Sequence, residues 1–185
     1  MLSFIKNYFK PAKDVFRWKY IDLDQGLVDD IKSRYLKEMP TFNKAQHYLT
    51  LPIYIPDIKG IKVLQSRLIY FEGNYNLPFA HKDTINKAGS NRYELGADWA
   101  LNIPLINCEN SVTTLYADSR YSGELPSETN VTKILLISKA TPITSYVLDR
   151  PILFNSQVFH AVRNNSPDPR IAISLRFAEN PVEWL

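Results

Sequence analysis

The sequence predicts a mainly β (α+β) fold, a β-sandwich-like domain with helical material in front of it, on three observations. The chain has 185 residues, the length of one domain with at most a modest extension. One clear helical periodicity lies near its start. From Ile61 onward the pattern changes to short apolar runs separated by turn residues. The runs lie near 62–71, 77–83, 97–106, 111–117, 131–138, 143–148, 152–154 and 170–178. Between them sit Gly73-Asn74, Ala88-Gly89-Ser90-Asn91, Ser122-Gly123 and Asn164-Asn165-Ser166-Pro167, residues that favour turn conformations. Strands at this spacing indicate a sandwich or barrel rather than βαβ units.

The helix begins at Asp24, whose carboxylate can cap exposed amides, and repeats Leu27, Val28, Ile31, Tyr35 and Leu36 at helical spacing before Pro40 stops it. The sequence has no internal repeat, low-complexity tract or internal linker. It therefore reads as a single domain over 1–185, with a helix-containing extension at 1–60 and a β core at 61–185.

Hydrophobic residues make up 45% and charged residues 22%, too apolar for a disordered chain. No apolar run approaches the roughly 18 residues of a membrane span. The opening stretch is broken by Lys6, Lys10 and Pro11 and has no small-residue cleavage site, so no signal peptide is expected. Cys108 stands alone, which excludes an internal disulfide and a cysteine-built zinc site and makes a reducing, cytoplasmic location the expectation.

Residues 1–19 hold Lys6, Lys10, Lys13, Arg17 and Lys19 against Asp14, while the remaining chain is nearly neutral. With Phe4, Tyr8, Phe9 and Phe16 among its lysines, this arm has the makings of a contact to phosphates or bases. A solvated first helix that tucks its aromatics onto the core is the favoured reading, since nucleic-acid footprints are usually denser.

Three histidines are present: His47, His81 and His160. His81 and Asp83 are two apart at the end of an expected strand, so alternation aims both at one centre while Lys82 points away. His160 ends another apolar stretch. Two imidazoles and one carboxylate are the set that holds non-haem Fe(II) with open positions. A polar strand end capping a turn accounts for His81 and Asp83 equally well without metal. The last run adds a second observation. Ile171, Ile173, Leu175 and Phe177 form one face, and Arg170, Ala172, Ser174 and Arg176 form the other. Small residues between two arginines leave space beside the backbone, and guanidinium and hydroxyl groups around that space suit a carboxylate. His47 has no partner at ligand spacing, and no base can be assigned to Cys108.

The order His81-x-Asp83, then His160, then Arg170 with Ser174 on its strand resembles the Fe(II)- and 2-oxoglutarate-dependent dioxygenases. The arginines Arg170 and Arg176, six apart on one face, are similar to the AlkB-type demethylase branch. The stretch 99–105 with 111–116 resembles small uncharacterised phage and bacterial members of the same fold. The resemblance implies a double-stranded β-helix, or jelly roll, of about eight core strands. It implies Fe(II) on His81, Asp83 and His160, and 2-oxoglutarate seated on Arg170 and Ser174. Arg176 would assist at the cosubstrate's metal-proximal end. Asn102 and Tyr116 are candidates for the polar residue many relatives place beside the cosubstrate, although core packing of Tyr116 is as good a reading. The activity implied consumes O2, releases succinate and CO2 and hydroxylates a substrate. Retention of Asp83 points away from halogenation.

Two other classes stay open at this point. One is a cupin-like jelly-roll module that binds a ligand without redox turnover; the other is an interaction protein in which His81 and His160 are unrelated. No motif names the primary substrate, and nucleic acid is weakly supported because the body is nearly neutral. Segments 40–60, 84–96 and 118–130 are the expected substrate-contacting loops.

Overall fold

The structure is a computed structural model that describes residues 17–37, 39, 48–50, 54–83, 99–120, 122–126, 131–179 and 181. The arm 1–16, Pro40, His47, all of 84–96 and parts of 40–60 and 118–130 lie outside the described residues.

Two six-stranded sheets form a jelly roll. The first is ordered β1 (Trp18–Tyr20), β10 (Ile152–Asn155), β5 (Trp99–Ile106), β12 (Arg170–Phe177), β3 (Val63–Phe71) and β2 (Tyr48–Thr50). The second is ordered β7 (Ser122–Pro126), β8 (Val131–Leu136), β4 (Phe79–His81), β11 (Phe159–Asn164), β6 (Ser111–Tyr116) and β9 (Pro142–Val147). Every pairing is antiparallel. Two of the strands, β1 and β2, come from within 1–60 and add the edges of the first sheet.

The helix α1 (Gln25–Lys37) starts where Asp24 Oδ1 accepts a hydrogen bond from Leu27 N at 2.9 Å. That contact satisfies one of the amides a helix start leaves without a partner. Val28, Ile31 and Tyr35 are buried, whereas Leu36 is half exposed and belongs to the outer side of the helix. The buried stripe packs with Leu68, Leu101, Ile103, Ile173, Leu175 and Phe177 of the first sheet. The apolar face of β12 is thus covered by the helical layer. Its opposite face, carrying Ala172, looks between the sheets, where Ala100, Ile152 and Phe154 of the first sheet meet Leu115, Tyr146 and Leu148. The first sheet is buried on both sides. This explains why Ala172 and Ser174 are small without being solvent-facing.

The sequence marks Ser122-Gly123 as a turn, yet these residues open β7. Glycine and proline are tolerated there because β7 is an edge strand, with one ladder side unpaired. At the far end, Gly73 lies so close to Pro167 that a Cβ would fall 1.8 Å from its carbonyl oxygen, and Asn74 N donates to Ser166 O. Asn164 Nδ2 donates to the carbonyls of Glu72 and Asp168. These contacts pin the turn that delivers Arg170 to the start of β12.

Candidate metal and carboxylate site

The second sheet supplies the histidines. His81 ends β4 and is the register partner of His160 on the adjacent β11, so both side chains leave the same face. Asp83 lies two residues past the end of β4. It is held by its backbone: Asp83 N donates to Ser156 O, and Gln157 Nε2 donates to Asp83 O, each at 3.0 Å. Lys82 turns the other way, pairing with Asp118 at 2.7 Å and standing over the Phe159 ring.

One ligand atom from each of His81, Asp83 and His160 lies within 4.8 Å of the others. Asp83 Oδ1 is 3.5 Å from His81 Nε2 and 3.6 Å from His160 Nε2. His160 Nδ1 lies 2.9 Å from Val158 O. A carbonyl only accepts, so Nδ1 carries the proton and Nε2 keeps its lone pair toward Asp83. A ring nitrogen anchored in this way fixes the orientation a metal-ligating imidazole needs. Phe154 packs edge-on against the His160 ring at 5.2 Å.

Burial is the largest influence on His160 and pushes its pKa down to about 4, with repulsion from His81 adding to it. Burial alone would raise the Asp83 carboxyl. Arg176 and the two imidazoles outweigh it and hold the group well below the usual carboxylate range. The set therefore presents the anionic Asp83 oxygen and the unprotonated His160 Nε2 beside the His81 imidazole, a donor set of the kind that suits Fe(II).

The first sheet supplies the rest. Ser174 on β12 is flanked in register by Asn102 on β5 and by Arg67 on β3. Asn102 and Ser174 are buried on the inner face, and Asn102 Oδ1 has no hydrogen-bond partner among the described residues. Arg170 is only 2% exposed. Its guanidinium stands 5.2 Å from the Phe71 ring and forms no ion pair among the described residues, and its Nε has no hydrogen-bond partner. Burial lowers its pKa. A cation removed from water without a counter-charge costs several kcal/mol. Arg176 reaches across from β12 to ion-pair with Asp83, joining the two sheets beside His81 and His160.

Two tyrosines depart from the sequence reading, one missed by it and one misplaced. Tyr146 on β9 is buried between the sheets, and its hydroxyl has no hydrogen-bond partner among the described residues. Burial pushes its pKa up, and the Thr113 side chain and the Arg170 guanidinium oppose that rise. Nothing in Thr144-Ser145-Tyr146-Val147 distinguishes this tyrosine from a packing residue by sequence. Tyr116 goes the other way. It packs with Ala80, Leu135 and Phe159, each on the face of the second sheet opposite the histidines, so the structure does not bring it to the site. Its neighbour Leu115 pairs with His160 and faces inward, while Tyr116 itself pairs with Phe159, so strand alternation places it on the outer face.

The sandwich and its cluster define a jelly-roll protein with a candidate metal centre of two histidines and one carboxylate. No family model matches the chain, and no curated protein matches it. Solved structures similar to it include the non-heme α-ketoglutarate-dependent carbocyclase SnoK from nogalamycin biosynthesis. That likeness has a TM-score of 0.49 at 15% identity, over 88% of this chain and 79% of that one. The non-heme α-ketoglutarate-dependent epimerase SnoN from the same biosynthesis has a TM-score of 0.45 at 13% identity, over 88% of this chain and 78% of that one. SnoN in complex with Fe3+, α-ketoglutarate and nogalamycin RO has a TM-score of 0.41 at 10% identity, over 88% of this chain and 79% of that one. Among the described residues, no helix is long and apolar enough to cross a membrane.

Proposed function

We propose that the chain is an Fe(II)- and 2-oxoglutarate-dependent oxygenase that hydroxylates an unidentified substrate. The observation that carries this reading is the convergence of His81, Asp83 and His160 to within 4.8 Å across neighbouring strands. The buried Arg170, without a counter-ion among the described residues, supports the cosubstrate half.

In this reading His81, Asp83 and His160 hold the iron and leave positions open for cosubstrate and O2. Arg170 binds the far carboxylate of 2-oxoglutarate, with the Ser174 hydroxyl beside it. Tyr146 has a buried hydroxyl free to donate to the same anion, and Asn102 supplies an amide next to Ser174. Iron with its cosubstrate and O2 supplies the oxidising power, with release of succinate and CO2. The protein orients the cosubstrate between the sheets and keeps water away from it. Val158 O keeps the His160 proton on Nδ1, so that Nε2 remains a ligand.

Purified protein supplied with iron, ascorbate and 2-oxoglutarate should release succinate slowly without added substrate, and His81→Ala should abolish that release. Equal background rates in variant and parent overturn the proposal. Binding of 2-oxoglutarate that ignores metal would return the chain to a ligand-binding jelly roll.

A further inference from the structure

Asp83 divides its two oxygens between different neighbours. Oδ1 faces the two imidazole nitrogens at 3.5 and 3.6 Å. Oδ2 accepts a hydrogen bond from Arg176 Nη2. Arg176 belongs to the opposite sheet, and its backbone is fixed on both sides, in register with Gln65 on β3 and Ala100 on β5. Its side chain is largely buried, so the pair is little screened.

A carboxylate can give a metal one oxygen or both. With two imidazoles on a six-position metal, one oxygen leaves three positions open and two oxygens leave two. A 2-oxo acid that chelates takes two positions, and O2 needs a third. A charge-assisted hydrogen bond to Oδ2 opposes its rotation toward the metal. We infer that Arg176 is a positioning residue that restricts Asp83 to one-oxygen coordination and so preserves the third open position. The inference rests on the metal-centre reading above. It gives Arg176 a role through Asp83, in place of the direct cosubstrate contact that the resemblance implies.

The test uses the full chain loaded with Mn(II), whose bound waters are counted by water-proton relaxation. The parent should carry three exchangeable waters. Arg176→Gln, whose shorter and uncharged side chain weakens the hold on Oδ2, should lose one, lowering inner-sphere relaxivity by about one third, and Arg176→Lys should restore most of it. Equal relaxivity in parent and Arg176→Gln overturns the inference. Should that variant fail to fold, the parent alone decides, through the infrared difference spectrum of metal binding with labelled aspartate. A widened separation of the two carboxylate stretches reports one-oxygen binding, and a narrowed separation overturns the inference. Failure of the parent to bind Mn(II) sinks the metal-centre reading and this inference together. Binding with an unchanged water count in Arg176→Gln sinks this inference alone.

Discussion

His81 and His160 occupy one rung of the β4–β11 ladder, and their rings stand 4.5 Å apart at an interplanar angle of 51°. Two imidazoles this close repel when protonated, which makes the cluster sensitive to acid.

The first prediction concerns that acid sensitivity. His160 is held at about 4 in the folded, metal-free protein, against an ordinary value of 6.5. Between those values the unfolded chain binds a proton that the folded chain refuses, so stability falls as pH drops through this window. The loss reaches about 3 kcal/mol at most. The depressed Asp83 carboxyl adds a further loss only below its ordinary value of 3.8, where the unfolded chain takes up its proton. Urea denaturation of metal-free protein from pH 7 to pH 4 should show the decline, and His160→Gln should flatten it.

Arg170→Met tests the anion seat. Replacing a buried guanidinium that has no counter-ion among the described residues with an apolar side chain of similar length should leave the cosubstrate-free protein as stable as the parent or more so. Affinity for 2-oxoglutarate should fall at least about 30-fold, because a buried charge partner is worth about 2 kcal/mol or more. Mn(II) binding should persist. Thermal denaturation and calorimetry together separate these effects.

Tyr146→Phe removes a buried hydroxyl that has no hydrogen-bond partner among the described residues. Stability without cosubstrate should be unchanged or raised by about 1 kcal/mol, since no bond is lost and a desolvated group is removed. Cosubstrate affinity should weaken by roughly tenfold to 150-fold, the worth of a hydrogen bond to a charged group. A variant that loses stability and keeps its affinity would place Tyr146 in packing alone.

Ile173→Ala separates the two faces of β12. Ile173 is fully buried under α1, on the side away from the site. Its truncation should cost about 2–5 kcal/mol in denaturant unfolding. Metal binding should survive wherever the variant remains folded, because Ala172 and Ser174 on the other face are untouched.

Much of this architecture was legible because strand alternation is strict. The runs at 62–71, 97–106 and 170–178 correspond to β3, β5 and β12, and the two faces of β12 were separable from Ile171, Ile173, Leu175 and Phe177 alone. Strands β1, β2 and β7 escaped because they are short edge elements whose pairing depends on distant partners rather than on local pattern. Most of β11 escaped because Arg163 and Asn164 break its apolar character, although it pairs with β6 along its whole length. His81, Asp83, His160 and Arg170 could be singled out because such residues are few in an apolar setting. Tyr146 could not, since a tyrosine in a strand carries no sign of whether its hydroxyl finds a partner. The Arg176–Asp83 pair was hidden for a related reason. It joins two sheets, and sequence spacing does not encode which inward-facing residues meet across a sandwich.

The most direct test of the account is calorimetric titration of the protein with Mn(II), followed by 2-oxoglutarate. The account predicts one Mn(II) per chain, loss of that site in His81→Ala and in His160→Ala, and 2-oxoglutarate binding that strengthens when the metal is present. Mn(II) binding that is indifferent to both substitutions would contradict it.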